Sequence, residues 1–171
     1  MTIQDSEVPV DGAENGVAQA RNERDADDRS LTITFTVSQT PQEVFAAIND
    51  VRAWWSGDIE GSTNQLGDEW TYRYEDIHYS KQKITELIPS RKVVWLVQDS
   101  FLSFVKDTTE WNGTEIIFDV SAKGNETEVR FTHRGLVPVY ECFSECSNAW
   151  GFYISGSLRN LISEGEGHPN H

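Results

Sequence analysis

Val139-Tyr-Glu-Cys-Phe-Ser-Glu-Cys-Ser-Asn-Ala-Trp-Gly-Phe-Tyr-Ile-Ser-Gly-Ser-Leu-Arg-Asn-Leu-Ile162 is the longest apolar-periodic stretch of the chain. Phe143, Cys146, Trp150, Ile154, Leu158 and Leu161 recur along it at steps of three and four, the spacing of a helix with one buried face. Gly135-Leu-Val-Pro138 leads into it, and Pro138 suits a first helical turn, where no amide donor is needed. Glu164-Gly-Glu-Gly-His168-Pro ends it. At 1.5 Å per residue a helix over 139–162 is about 35 Å long and needs a broad concave surface to lie in. Gly151 and Gly156 each lower helix propensity by about 1 kcal/mol relative to Ala. Beside Trp150 they read as space, either for close approach of a sheet or for a ligand.

The rest of the chain supplies that surface. Leu31-Thr-Ile-Thr-Phe-Thr-Val37 alternates with period two, a half-buried strand. Thr40-Pro-Gln-Glu43 then offers a cap, a first-turn proline and an acidic first turn, so a helix begins there with Val44, Phe45 and Ile48 on its apolar side. Asn49-Asp50 breaks it, and Val51-Arg-Ala-Trp54-Trp55 forms a second short helical piece. Ser56-Gly57 and residues 61–67 read as loop. From Glu69 a strand places Trp70, Tyr72 and Tyr74 on one face, and residues 77–87 and 91–98 are further strands. The run 91–98 is apolar on both faces, as a central strand would be. Residues 99–111 carry Phe101, Leu102, Phe104, Val105 and Trp111 but are interrupted by Asp107-Thr-Thr-Glu110. They read as a loop that lids a cavity, with an extra strand and turn as the alternative. Residues 114–121 and 127–133 form a hairpin about Lys123-Gly-Asn-Glu126, with Phe118, Phe131 and His133 facing inward. A run of strands closed by a helix is an α+β domain whose antiparallel sheet is covered on one face. Its expected bounds are 30–164, after a disordered acidic tail over 1–29 and before a flexible end over 165–171.

Bulk properties exclude several classes. With 171 residues, one domain with a real core is expected. A formal charge of −14 argues against nucleic acid, whose phosphates need clustered Lys and Arg, and against anionic lipid surfaces. There is no apolar run of membrane-spanning length and no apolar signal segment, so a cytoplasmic protein is expected. Cys142 and Cys146, four apart, read as reduced structural thiols, and no further ligand joins them to make a metal site. No dinucleotide fingerprint, phosphate loop, zinc pattern or nucleophile elbow occurs, so no cofactor, metal or catalytic residue is assigned.

Several stretches taken together carry a resemblance. Thr40-Pro-Gln-Glu-Val-Phe-Ala-Ala-Ile48, Trp54-Trp55, Gly67-Asp-Glu-Trp-Thr-Tyr-Arg-Tyr74, Val129-Arg-Phe-Thr-His-Arg-Gly-Leu136 and the helix with Asn148-Ala-Trp-Gly151 occur in the order seen in one family. Over residues 31–163 the chain resembles the family named for the C-terminal domain of the activator of the Hsp90 ATPase, within the START-like helix-grip superfamily. The resemblance implies a six- or seven-stranded antiparallel sheet around a long C-terminal helix, with two short helices after the first strand. It implies a cavity for lipids, polyketides or hormones, contact with a chaperone, or cyclase and aromatase chemistry on a polyketide-like substrate. The eukaryotic namesake carries a further N-terminal domain, which residues 1–29 are too short and too polar to form.

Three functions are therefore carried forward. The first is binding of a small, mostly apolar ligand, lipid-like or aromatic, between sheet and helix. The others are a chaperone-regulating interaction module and a cyclase-like enzyme, in a chain that is a monomer or a homodimer. The expected cavity lining is Trp55, Trp70, Tyr72, Tyr74, Trp95, Phe118, Phe131, His133, Trp150 and Ile154, because these share an inward phase and so many large rings are difficult to pack densely. His133 has two readings. It is a hydrogen-bond donor or general base at the cavity, or a histidine that meets a structural partner, as lone buried histidines usually do.

Overall fold

A computed structural model describes residues 29–56 and 58–170 of the chain. Seven strands form one antiparallel sheet: β1 (Leu31–Val37), β2 (Ile59–Gly61), β3 (Glu69–Tyr74), β4 (His78–Ile88), β5 (Lys92–Leu102), β6 (Glu115–Lys123) and β7 (Glu126–Arg134). Their spatial order is β1-β7-β6-β5-β4-β3-β2, so the first strand closes against the last and every other neighbour is a meander step. Two short helices, α1 (Pro41–Asn49) and α2 (Val51–Trp54), follow β1, and a 22-residue helix α3 (residues 143–164) follows β7. This is the helix-grip α+β architecture. The acidic tail expected over 1–29 lies, apart from Arg29, outside the described residues.

Local chemistry sets the boundaries. Thr40 and Glu43 make a reciprocal capping box at α1, with Pro41 in the first turn. Ile59–Gly61, partly expected as loop, is an edge strand on β3. Gly61 has φ +112, and a side chain there would press on the Glu69 carbonyl at 2.5 Å. The 99–111 stretch divides. β5 continues to Leu102, and only residues 103–114 are loop. A bulge explains why alternation failed there, because Lys81 pairs with Asp99 and Gln82 with Val97, leaving Gln98 as the extra residue. Gln98 and Asp99 are both exposed, and Ser100 and Leu102 then turn inward again.

The long helix differs from its expected form in two ways. It begins at Phe143 rather than Val139, and Pro138 precedes it in a turn. The buried carboxylate of Glu110 accepts from the Glu141 and Cys142 amides at 3.2 and 3.1 Å, supplying from the 103–114 loop the cap that Cys142 lacks. Second, Gly151–Leu158 is π-helical between α-helical Phe143–Trp150 and Arg159–Glu164. In an α-helix, four-residue steps drift around the axis by about 40° each, whereas i→i+5 bonding widens the turn and cancels the drift. Cys146, Trp150, Ile154, Leu158 and Ile162, a strict four-residue repeat, therefore all stay buried, and Leu161 is only partly so. Gly151 and Gly156 give no close approach, since a side chain at either would meet nothing within 4 Å. They lie inside the π-helical stretch, where weak α-propensity eases the departure from α bonding.

All six tryptophans are buried in the core between sheet and α3. The segment expected as a flexible end is tied down. Asn170 N–H donates to the Trp55 carbonyl at 3.0 Å, and His168 N–H to Ser157 Oγ at 2.6 Å.

Candidate functional site

The sheet's inner face divides at β5. Toward β7, Trp95, Phe118, Phe131 and Ile154 are fully buried and close-packed, Phe118 meeting Trp95 at 5.0 Å and Phe131 at 5.3 Å. Toward β3 the packing opens into a cleft of about 450 Å³. β3 contributes Tyr72 and Tyr74, β4 contributes His78, and the turn between them Ile77. The 103–114 loop adds Phe104 and Trp111, and α3 adds Glu145, Cys146, Ala149, Trp150 and Tyr153. Trp55, just after α2, completes the wall and stacks on Tyr72 at 4.2 Å. Trp111 lies parallel to Trp150 at 5.8 Å and edge-on to His78 at 4.5 Å, so the loop is fastened by ring contacts as well as by Glu110. The volume and the aromatic lining with few polar groups are those of small-molecule sites.

The polar groups of the wall are mostly neutral. Burial lowers the His78 pKa to about 4, so its ring is uncharged at neutral pH. Burial also pushes the Tyr72 and Tyr153 hydroxyls above their ordinary pKa. Asn170 Nδ2 donates to both, at 3.1 Å to Tyr72 and 2.6 Å to Tyr153, clamping two wall residues from the C-terminal segment. A hydrogen bond with the Cys146 thiol, burial and nearby Glu110 together push the Cys142 thiol up, so Cys142 is an unreactive thiol at neutral pH.

Behind the wall lies an unusual set of polar atoms. Ser80 Oγ, both amide atoms of Gln82, His78 Nε2 and the indole nitrogens of Trp70, Trp95 and Trp111 are buried with no hydrogen-bond partner among the described residues. They share one region, because the inner face of β3–β4–β5 is built of the rows Tyr74–His78–Leu102, Tyr72–Ser80–Ser100 and Trp70–Gln82–Val97. Each unsatisfied buried group costs about 1–3 kcal/mol, so such a concentration is not what packing alone would select.

Of the ten expected lining residues, Trp55, Tyr72, Tyr74 and Trp150 border the cleft, while Trp70, Trp95, Phe118, Phe131, His133 and Ile154 lie in the packed interior. His133 is fully buried with both ring nitrogens engaged. Trp150 Nε1–H donates to its Nδ1 at 3.1 Å, and its Nε2 lies 2.8 Å from Thr114 Oγ1. An indole nitrogen can only donate, so Nδ1 carries no proton and the Nε2–H donates to Thr114. Thr114 in turn donates to the Trp111 carbonyl at 2.6 Å. His133 thus holds the base of the 103–114 loop to α3. His78, Trp111 and Tyr153 border the cleft without being among the ten expected lining residues, Trp111 as part of the stretch expected to lid it. His78 is in phase with Tyr74 across the β3–β4 turn, a signal available beforehand, whereas Trp111 depends on the fold of an irregular loop.

Among the described residues no cluster of three or more His, Cys, Asp or Glu could hold a metal ion, and no helix is long and apolar enough to cross a membrane.

Neither a protein-family model nor a curated protein matches the sequence. Solved structures do. An Aha1 dimer from Colwellia psychrerythraea is 25% identical, with TM-score 0.62, over 80% of this chain and 99% of that one. An HSP90 activator from Plasmodium falciparum is 18% identical, with TM-score 0.54, over 78% of this chain and 93% of that one. CalU16 from Micromonospora echinospora is 16% identical, with TM-score 0.53, over 80% of this chain and 77% of that one. The chain therefore shares the helix-grip fold of these structures and is similar in sequence to the Aha1 protein among them.

Proposed function

We propose that the protein binds a small, mostly apolar ligand, lipid-like or aromatic, in the cleft between β3–β4, the 103–114 loop and α3. The observation that carries this is the cleft of about 450 Å³, walled by Trp55, Tyr72, Tyr74, Trp111, Trp150 and Tyr153 where the other half of the same face is filled. Titration of candidate ligands against tryptophan emission tests it, because Trp55, Trp111 and Trp150 all border the site. The control is Ala149→Trp, which fills the cleft from an exposed helical position and is expected to weaken binding at least tenfold without unfolding the domain. Equal affinity in this variant, or no emission change with any ligand, sinks the reading.

A second reading is a chaperone-regulating interaction module. The 25% likeness to the Colwellia psychrerythraea Aha1 dimer favours it, and that likeness also motivates a homodimeric state. Its test is the ATPase rate of an Hsp90-type chaperone at saturating protein, where an unchanged rate removes it. The cyclase-like reading has less to support it, since both nitrogens of His133, its candidate base, have hydrogen-bond partners between loop and helix.

A further inference from the structure

The cleft reading leaves the unpartnered polar atoms of β4 unexplained. His78, Ser80 and Gln82 occupy successive inward positions, about 7 Å apart along the strand. His78 borders the cleft and Gln82 is fully buried, so the row runs from the wall into the interior. The β5 bulge opposite Lys81 and Gln82 sits at its deep end, a common device for re-aiming side chains beside a site. The middle row is low, because two serines, Ser80 and Ser100, stand side by side between the larger residues. Ser100 is satisfied through Asn112 Oδ1 at 2.6 Å, while Ser80 and both ends of the Gln82 amide have no partner among the described residues. A glutamine so placed makes the fold less stable than leucine would, and residues kept against stability are commonly kept for binding.

We infer that the inner face of β4 is the polar floor of this site, and that Gln82 and Ser80 take a neutral hydroxyl or carbonyl carried at one end of a flat apolar ligand. Gln82 offers both a donor and an acceptor, and Ser80 offers either, which matches a hydroxyl better than a pure acceptor. The group is neutral because the inner face of β3–β5 presents no Lys or Arg. An ionised carboxylate or sulfonate there would be buried without a countercharge. Fatty acids are thereby disfavoured, and phenols, alcohols and ketones on a ring system fit.

The inference rests on the cleft reading, and a matched pair of probes separates the two. 2-Naphthol and 2-methylnaphthalene have nearly the same shape and differ in one hydroxyl. The wild-type protein is expected to bind the naphthol at least tenfold more tightly, by tryptophan quenching or calorimetry. Gln82→Leu combined with Ser80→Ala is expected to bring the ratio close to one, by weakening the naphthol relative to 2-methylnaphthalene, and to hold or raise the melting temperature. Equal affinities in the wild-type protein overturn the polar floor and leave the apolar cleft standing. So does a naphthol preference that survives both substitutions. If Gln82→Leu alone sharply lowers the melting temperature, Gln82 is a structural residue and the inference fails. Binding of neither probe overturns the cleft itself, and the floor with it.

Discussion

Two inward-facing histidines on one face of one sheet, His133 buried and His78 half-buried, show how differently its two halves are built. His133, on β7, has a partner for each ring nitrogen and ties together α3, the base of the loop and the sheet. His78, on β4, keeps an Nε2 with no partner among the described residues and meets its neighbours Tyr72 and Trp111 through ring edges. The half around His133 is close-packed, and the half around His78 holds the cleft and most of the unpartnered polar atoms. Satisfied polar groups in a dense core specify a structure, whereas unsatisfied ones beside a cleft are what a binding site retains. The phase of a histidine on a strand therefore says little about its role, and its remaining hydrogen-bonding capacity says much.

The strongest way to break this contrast is to remove each ring. His133→Ala leaves a cavity, an unpaired indole donor on Trp150 and a changed partner for Thr114, so a loss of about 4 kcal/mol is expected in chemical denaturation. His78→Leu removes a group with an unmet nitrogen and replaces it with apolar bulk, so its stability is expected to lie within about 1 kcal/mol of wild type. Equal losses would erase the distinction between the halves.

The second test is pH. Burial holds the His78 pKa at about 4 in the folded chain against 6.5 unfolded, so the unfolded state takes up the proton first as pH falls. The contribution of the neutral ring is complete above pH 6.5 and is lost on acidification toward pH 4, amounting to at most about 3 kcal/mol. Stability profiles of wild type and His78→Leu should run parallel above that window and separate within it, the wild type alone losing stability through this group as pH falls. Profiles that stay parallel throughout would place the ring in water.

Smaller again is the loop anchor between the two halves. Glu110 accepts from two amides at the start of α3, and Glu110→Ala is expected to lose about 2 kcal/mol, with Glu110→Gln intermediate because one oxygen remains. If the anchor shapes the cleft, the alanine variant also weakens 2-methylnaphthalene binding. A stability loss with unchanged binding would make Glu110 a helix cap alone.

What could be read in advance follows the same division. Strands such as Leu31–Val37 and Glu69–Tyr74 were legible because one face is buried and one wet, so alternation survives in the sequence. The end of β5 was not, because its bulge puts Gln98 and Asp99 outward in succession and mimics a loop. The start of α3 was misplaced because its cap comes from Glu110, 32 residues away from Cys142. Phase could gather the inward aromatics but could not tell those buried in the dense half from those on the cleft wall. That difference depends on where Trp111 and its loop come to rest. Gln82 drew no attention at all, since a polar residue between lysines at 81 and 83 looks like a solvated stretch.

The smallest expected effect concerns how the cleft wall is fastened. The dense half is held by its own neighbours, whereas Tyr72 and Tyr153 are held from outside by Asn170, far along the chain. Gly167 makes this route possible, because a side chain there would collide with the Ala53 carbonyl as the segment passes α2. Asn170→Ala should lose about 1 kcal/mol, the net worth of a neutral hydrogen-bonded pair whose hydroxyls can find each other or water. Asn170→Asp separates donor from acceptor. With the amide donating to both tyrosines, an acceptor-only carboxylate can be met only if both hydroxyls turn their protons toward it, and it brings a buried charge with it. The aspartate variant should therefore be less stable than the alanine variant at neutral pH and recover on acidification. If it instead matches wild type, the tyrosines are the donors, and their protons point away from the cleft rather than toward a ligand.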